Sequence, residues 1–208
     1  MRRPVLLRRS GLPRVPARPS DVAPAEPPDG HRVRLRVLER GDREEFIELA
    51  VASRQLHRPW TYPPERPEQF DDLYARSRRE DCVCLLACLR DGGEIAGVLI
   101  LSQIIRGAFQ SAYLGYYAHQ AYAGRGYMRE AMAQTVDHAF GRLALHRLEA
   151  NIQPGNGPSI ALARGAGFRL EGFSPRYLLI GGQWRDHERY AITADDRGFD
   201  DRSGVATG

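Results

Sequence analysis

At 208 residues and 42% hydrophobic content, the chain can bury one substantial core, and no apolar run approaches the roughly 20 residues of a membrane helix. There is no lysine: all 30 basic residues are arginine, which excludes Schiff-base, lysine-nucleophile and lysine-base chemistry. The net charge of +4 permits acidic partners, but much of the excess sits in the first residues and says little about the folded surface.

Residues 1–30 are rich in Pro and Arg and nearly free of aromatics, so they read as a disordered arm. Arg2-Arg3 is followed by no continuous apolar stretch, because prolines at 4, 13 and 16 interrupt it. Such a basic arm either makes weak contact with RNA or reflects a start codon chosen too far upstream. Residues 31–195 form the expected domain, and 196–208 a flexible tail.

Val33, Leu35 and Val37 alternate with arginines as in a half-buried strand. Asp42 opens a helix with Phe46, Ile47, Leu49 and Ala50 on its apolar face. Trp60, between Pro59 and Pro63, is either a core anchor or the wall of a substrate slot. A second helix runs from about Pro67 to Arg79. Asp81 to Leu89 and Glu94 to Ile105 pair as a hairpin through Asp91-Gly92-Gly93, and a third strand covers Ala112 to Tyr117. Cys82, Cys84 and Cys88 share one apolar segment with no nearby fourth ligand. They read as buried strand thiols rather than a metal site or a secreted disulfide framework, and a cytoplasmic setting follows.

The segment from Tyr113 to Met128 organises the chain. A strand runs into Gly124-Arg125-Gly126, which opens directly onto a helix. Helix N-termini present amides without intrahelical partners, and glycine lets an anion approach them closely. After that helix come a strand at Arg147 to Gln153, a turn at Pro154 to Ser159, and a short helix closed by Gly165-Ala166-Gly167. A last hairpin, Phe168 to Ile180 and Gln183 to Ile192, follows, in which Pro175 implies an edge strand or a bulge. Strands 112–117 and 147–153, joined through a helix, should be parallel neighbours. Two such strands that part around a phosphate loop make a cleft for a nucleotide-bearing cofactor.

The order of elements, the Gly-Arg-Gly loop before Glu130-Ala131, and Asn156 and Ser159 ahead of Ala166-Gly167-Phe168 resemble the GCN5-related N-acetyltransferase superfamily. Ser102 to Tyr116, Pro59-Trp60 and Tyr177 to His187 are similar to its RimJ branch of ribosomal-protein-alanine N-acetyltransferases. The resemblance covers about residues 32–194. It implies an α/β (α+β) fold: a mostly antiparallel seven-stranded sheet with a central parallel pair splayed around CoA. It also implies acetyl-CoA as donor and no metal. Tyr116, Tyr117, Ala118, Gly124, Arg125, Gly126, Tyr127 and Met128 should then hold the cofactor through backbone groups. Asn156 should bind its pantetheine arm, and Ser159 should lie near the sulfur as proton donor; on residues alone, Asn156 reads equally as a turn residue and Ser159 as an N-cap. Tyr177 is the candidate catalytic hydroxyl, and Trp60, Arg106, Trp184 and Asp186 are the substrate-side candidates. Arg106 either binds substrate carbonyls or braces the turn before Ala112, and Tyr177 and Asp186 either serve the reaction or anchor the hairpin. Two positions depart from the pattern: Ala121 stands where the superfamily loop has Gln or Arg, and Leu178 where the RimL branch has a glutamate.

The expected acceptor is the α-amino group of a protein N-terminus such as a ribosomal protein. Its pKa of about 8 leaves a useful neutral fraction, whereas lysine at about 10.4 demands a stronger base than these residues offer. A small-molecule amine is the rival acceptor, and an RNA-binding assembly factor with little catalysis is the rival class. A monomer and a homodimer fit equally well.

Overall fold

A computed structural model of the chain describes residues 18–199. One seven-stranded sheet carries the fold, in the order β1-β2-β3-β4-β5-β7-β6. The strands are β1 (Val33–Val37), β2 (Cys82–Leu89), β3 (Ile95–Ile105), β4 (Ser111–Ala118), β5 (Arg147–Ile152), β6 (Arg169–Ile180) and β7 (Gln183–Thr193). Only β4 and β5 pair in parallel. The helices are α1 (Arg43–Ala52), α2 (Arg54–His57), α3 (Pro67–Ser77), α4 (Tyr127–Asp137) and α5 (Gly157–Gly165).

Both faces of the sheet are covered, and β2 shows it best. Its side chains alternate as a strand requires, with Val83, Leu85 and Ala87 in one cluster and Cys84, Leu86 and Cys88 in the other. The first cluster includes Ala131, Met132 and Val136 of α4, and Ala163 of α5; the second includes Phe46 of α1 and Phe70 of α3, whose rings meet edge to face. The three thiols are free and buried, and burial pushes each above its ordinary pKa. Among the described residues no helix is long and apolar enough to cross a membrane, and no group of His, Cys, Asp and Glu could hold a metal.

Packed structure extends beyond both expected ends of the domain. Residues 1–17 and 200–208 lie outside the described residues, but Pro19–Asp21 form a helical turn with Pro19 and Ser20 buried. Asp21 is held by Arg18 and, at 3.0 Å, by Arg78, and Val22 packs on the core. Prolines restrict the unfolded chain, so ordering this segment costs less than its lack of aromatics suggests. At the other end, Asp196 accepts from the Thr193 amide and hydroxyl, and the Phe199 ring meets Phe140 at 6.1 Å.

β6 is an edge strand, and Pro175 falls within a register shift between Ser174 and Leu178. A second shift, between Leu170 and Gly172, sets an extra β6 residue against β7. One extra residue reverses which side chains reach each face beyond it.

Candidate active site

The site begins where the parallel pair fails. β4 and β5 are in register only at Ser111 with Arg147, Ala112 with Leu148 and Tyr113 with Glu149. Beyond Tyr113 the strands part, while β4 stays paired with β3 as far as Ala118. The His119 amide donates to the Ala96 carbonyl at 2.9 Å, so it faces β3. By strand alternation the amides of Tyr116 and Ala118 face the gap. The Ala118 carbonyl is already taken by His57 Nε2 at 2.8 Å, which leaves the Tyr116 backbone groups and the Ala118 N–H as an open track.

A loop and a helix start close one side of this gap. Gly124 and Gly126 have φ of +75° and +85°, a region in which a side chain is strained, and Gly126 is the N-cap of α4 with no side chain capping it. The Gly126 carbonyl accepts from Arg129 and Glu130. Among the described residues, no amide from Gly124 through Met128 donates to a protein group. This row of free donors at the positive end of a helix suits a diphosphate. Arg125 is exposed beside the loop and makes no ion pair among the described residues. Met128 packs over Gly97, where a Cβ would sit 2.3 Å from its sulfur. The Arg32 guanidinium lies 4.8 Å from the centre of the Tyr127 ring and bonds Glu130, tying β1 to the start of α4.

On the far side of the gap, Asn156 caps α5 by accepting from the Ser159 amide at 3.3 Å. Ser159 is therefore not the cap, and its hydroxyl has no partner among the described residues. Asn156 keeps its side-chain N–H groups free. The Tyr116 hydroxyl donates to the Ser159 carbonyl at 2.8 Å, pinning α5 to β4, and burial holds this phenol well above its ordinary pKa.

Together these elements enclose a cleft of about 880 Å³. Of the residues singled out from sequence, Trp60, Tyr116, Tyr117, Ala118, Gly124, Gly126, Met128, Asn156 and Ser159 line it. Trp60 is a wall: its ring packs on Gly155 and its carbonyl accepts from Gln153 at 3.0 Å. The other substrate-side candidates lie elsewhere. Arg106 donates to the Leu143 carbonyl and braces its turn, as the second of its two readings had it. Trp184 pairs with Leu179 at the hairpin tip and is 62% exposed, whereas the cleft takes Leu178 and Ile180 from the alternate face. Asp186 accepts from the Arg176 amide at 2.7 Å and anchors the bulge. Tyr177 sits one layer back, its hydroxyl 3.4 Å from that of Tyr113 and its ring against His187. The contact with Tyr177, with burial second, pushes the Tyr113 phenol up to about 12.

Sequence reasoning missed His57, Asn151, Gln153 and His187, all of which line the cleft. His57 and His187 carried no spacing that would mark them, and burial lowers both below the ordinary imidazole pKa. Strikingly different chemistry is absent too: among the described residues, none lining the cleft is Asp or Glu.

A sheet forked at its one parallel pair, with free amides at a helix start facing the fork, is the architecture of an acetyltransferase. Residues 32–169 match the acetyltransferase (GNAT) domain family, and the chain belongs to it. The [Ribosomal protein uS5]-alanine N-acetyltransferase of Escherichia coli (strain K12) is 42% identical over 106 residues, which are 51% of this chain and 55% of that protein. The chain thus spans about half the length of that curated relative. Mycobacterium smegmatis RimJ, solved in complex with CoA-disulfide, is similar at a TM-score of 0.72 and 31% identity, covering 79% of this chain and 83% of that one. The spermidine N(1)-acetyltransferase of Escherichia coli (strain K12) is 28% identical over 166 residues, 79% of this chain and 88% of that protein.

Proposed function

We propose that this chain transfers acetyl from acetyl-CoA to the α-amino group at the N-terminus of a protein, a ribosomal protein being the model acceptor. The cofactor half of the reading rests on the free amides from Gly124 to Met128, which suit the diphosphate, and on the open β4 edge at Tyr116 and Ala118, which suits the amide-bearing pantetheine arm. An N–H aimed at the thioester carbonyl contributes on the order of 3 kcal/mol to the transition state. In this reading the amine attacks that carbonyl carbon, the C–S bond breaks, and Ser159, whose hydroxyl lines the cleft without a protein partner among the described residues, gives its proton to the leaving sulfur and regains one from the amine.

The absence of Asp and Glu from the cleft lining, among the described residues, carries the acceptor half. A polyamine brings several positive charges, and burying them without carboxylates is costly. A single terminal amine followed by a peptide brings one, and Trp60 offers a flat apolar wall beside it. The likeness to the uS5-alanine enzyme points the same way, and that to the spermidine enzyme names the competitor. Incubation with acetyl-CoA, peptides differing in their first residue, and spermidine, read by mass spectrometry, tests this. Acetylation of Ala- or Ser-initiated peptides at the N-terminus is expected; preferential acetylation of spermidine would overturn it.

A further inference from the structure

An α-ammonium must lose a proton before its nitrogen can attack, and none of the groups above takes that proton. Two histidines, His57 and His187, line the cleft, and a third, His119, packs against His57. His57 uses Nε2–H on the Ala118 carbonyl, and its Nδ1 is sealed inside the protein; both ring nitrogens of His119 are sealed as well. His187 differs. Its Nδ1 lies 3.0 Å from the Arg185 carbonyl oxygen, which can only accept, so the proton is on Nδ1 and the lone pair on Nε2. His187 lines the cleft, and Nε2 is not among the sealed atoms. The ring is held edge-on against Tyr177, with centroids 6.1 Å apart.

We propose that Nε2 of His187 receives the proton of the acceptor ammonium, making His187 a catalytic residue; the inference rests on the acetyltransferase reading above. The amine lone pair so released forms the N–C bond, the C–S bond breaks, and a second amine proton replaces the one Ser159 gives to sulfur. The imidazolium then returns its proton to solvent, so the step yields an amide, the CoA thiol and one proton. The titratable and charged groups of this region are Tyr177 on β6, Tyr113 behind it on β4, Glu149 on β5, and Arg185, Asp186 and Arg189 on β7. Burial lowers the His187 pKa, and the Arg185 carbonyl and Asp186 only partly offset this, so the ring is neutral near pH 7. Such a base suits an α-amine of pKa about 8 and is poorly matched to a lysine at about 10.4.

The decisive variant is His187→Asn, whose side-chain N–H replaces Nδ1–H toward Arg185 while Nε2 is lost. Steady-state rates on an Ala-initiated peptide at about pH 7 and pH 9, with CoA affinity by calorimetry, read the outcome. At pH 7, kcat should fall about 100-fold with CoA affinity and peptide KM within about 2-fold. The deficit should shrink at least about 5-fold at pH 9, where the α-amine deprotonates unaided. A wild-type rate in His187→Asn, or a deficit equal at both pH values, overturns the proposal. If the Asn variant binds no CoA, His187→Gln is read by the same criteria. Wild-type protein that acetylates no amine would instead defeat the acetyltransferase reading, and His187 would fall with it.

Discussion

The two walls of the cleft are built by different means. The loop wall, from Gly124 into α4, works through main chain: its donors are amides, and its shape follows from two glycines with positive φ. The opposite wall, made by Trp60 and the β6–β7 hairpin, works through side chains, and which of them reach the cleft depends on strand register. Substitution should therefore act on the loop wall only by changing backbone or excluding a ligand. On the hairpin wall it should act residue by residue, with neighbours in sequence behaving oppositely.

The largest effect is expected at Gly126. Arg there places a Cβ 3.0 Å from Arg32 Nη2, at a φ of +85°, and fills the space before the free amides. The fold should lose about 1–2 kcal/mol, seen as a modest drop in melting temperature. Affinity for CoA in calorimetry should drop at least about 100-fold; unchanged affinity would remove the loop from its role. Ser159→Ala should reduce kcat about 10-fold while CoA affinity holds within about 2-fold, because Asn156 and not Ser159 caps the helix. An unaltered rate would leave that hydroxyl without function. Trp60→Ala should raise the peptide KM by about 5- to 10-fold, the scale of losing one aromatic contact; a change confined to melting temperature would return the ring to the core.

A pH series separates the buried layer between α1, α2 and the end of β4 from both walls. Burial lowers His119 to about 4, below the 6.5 of an unfolded imidazole, so the unfolded state binds more protons between those values. Its contribution is full above pH 6.5 and is lost as pH falls toward 4. About 2 kcal/mol should disappear between roughly pH 7.5 and pH 5, and His119→Phe should flatten that part of a melting-temperature profile. The smallest effect is expected at Trp184. Its replacement by Ala should leave kcat and peptide KM within about 2-fold, since it sits on the face away from the cleft; a large rise in KM would break the contrast between the two walls.

That contrast also explains what was legible beforehand. The strand order up to β5, the parallel pair and the loop follow from alternation, Asp-Gly-Gly and Gly-Arg-Gly, all of which act locally. Asn156 and Ser159 both line the cleft, but the helix begins at Gly157, three residues earlier than a Ser159 cap would require, so Asn156 is the cap. Trp184 and Asp186 were placed on the substrate side by resemblance. Their facing follows from alternation along β7, and which of its faces turns to the cleft is set by pairing with β5, more than thirty residues away. His187, two residues from Arg185 on the same face of β7, could not be told from any buried imidazole until β6 and β7 were aligned.

Arg32 sits in the first matched position of the family and about a hundred residues from the loop, yet its bonds to Glu130 reach the first turn of α4. Glu130 places a negative charge beside the very amides that would receive an anion, and Arg32 cancels it there. The charge balance at the mouth of the loop thus depends in part on a residue from the opposite end of the domain. A chain that loses Arg32, whether by truncation or by a neutral substitution, would keep every loop residue and still hold the phosphates less tightly, because Glu130 would stand uncompensated beside them.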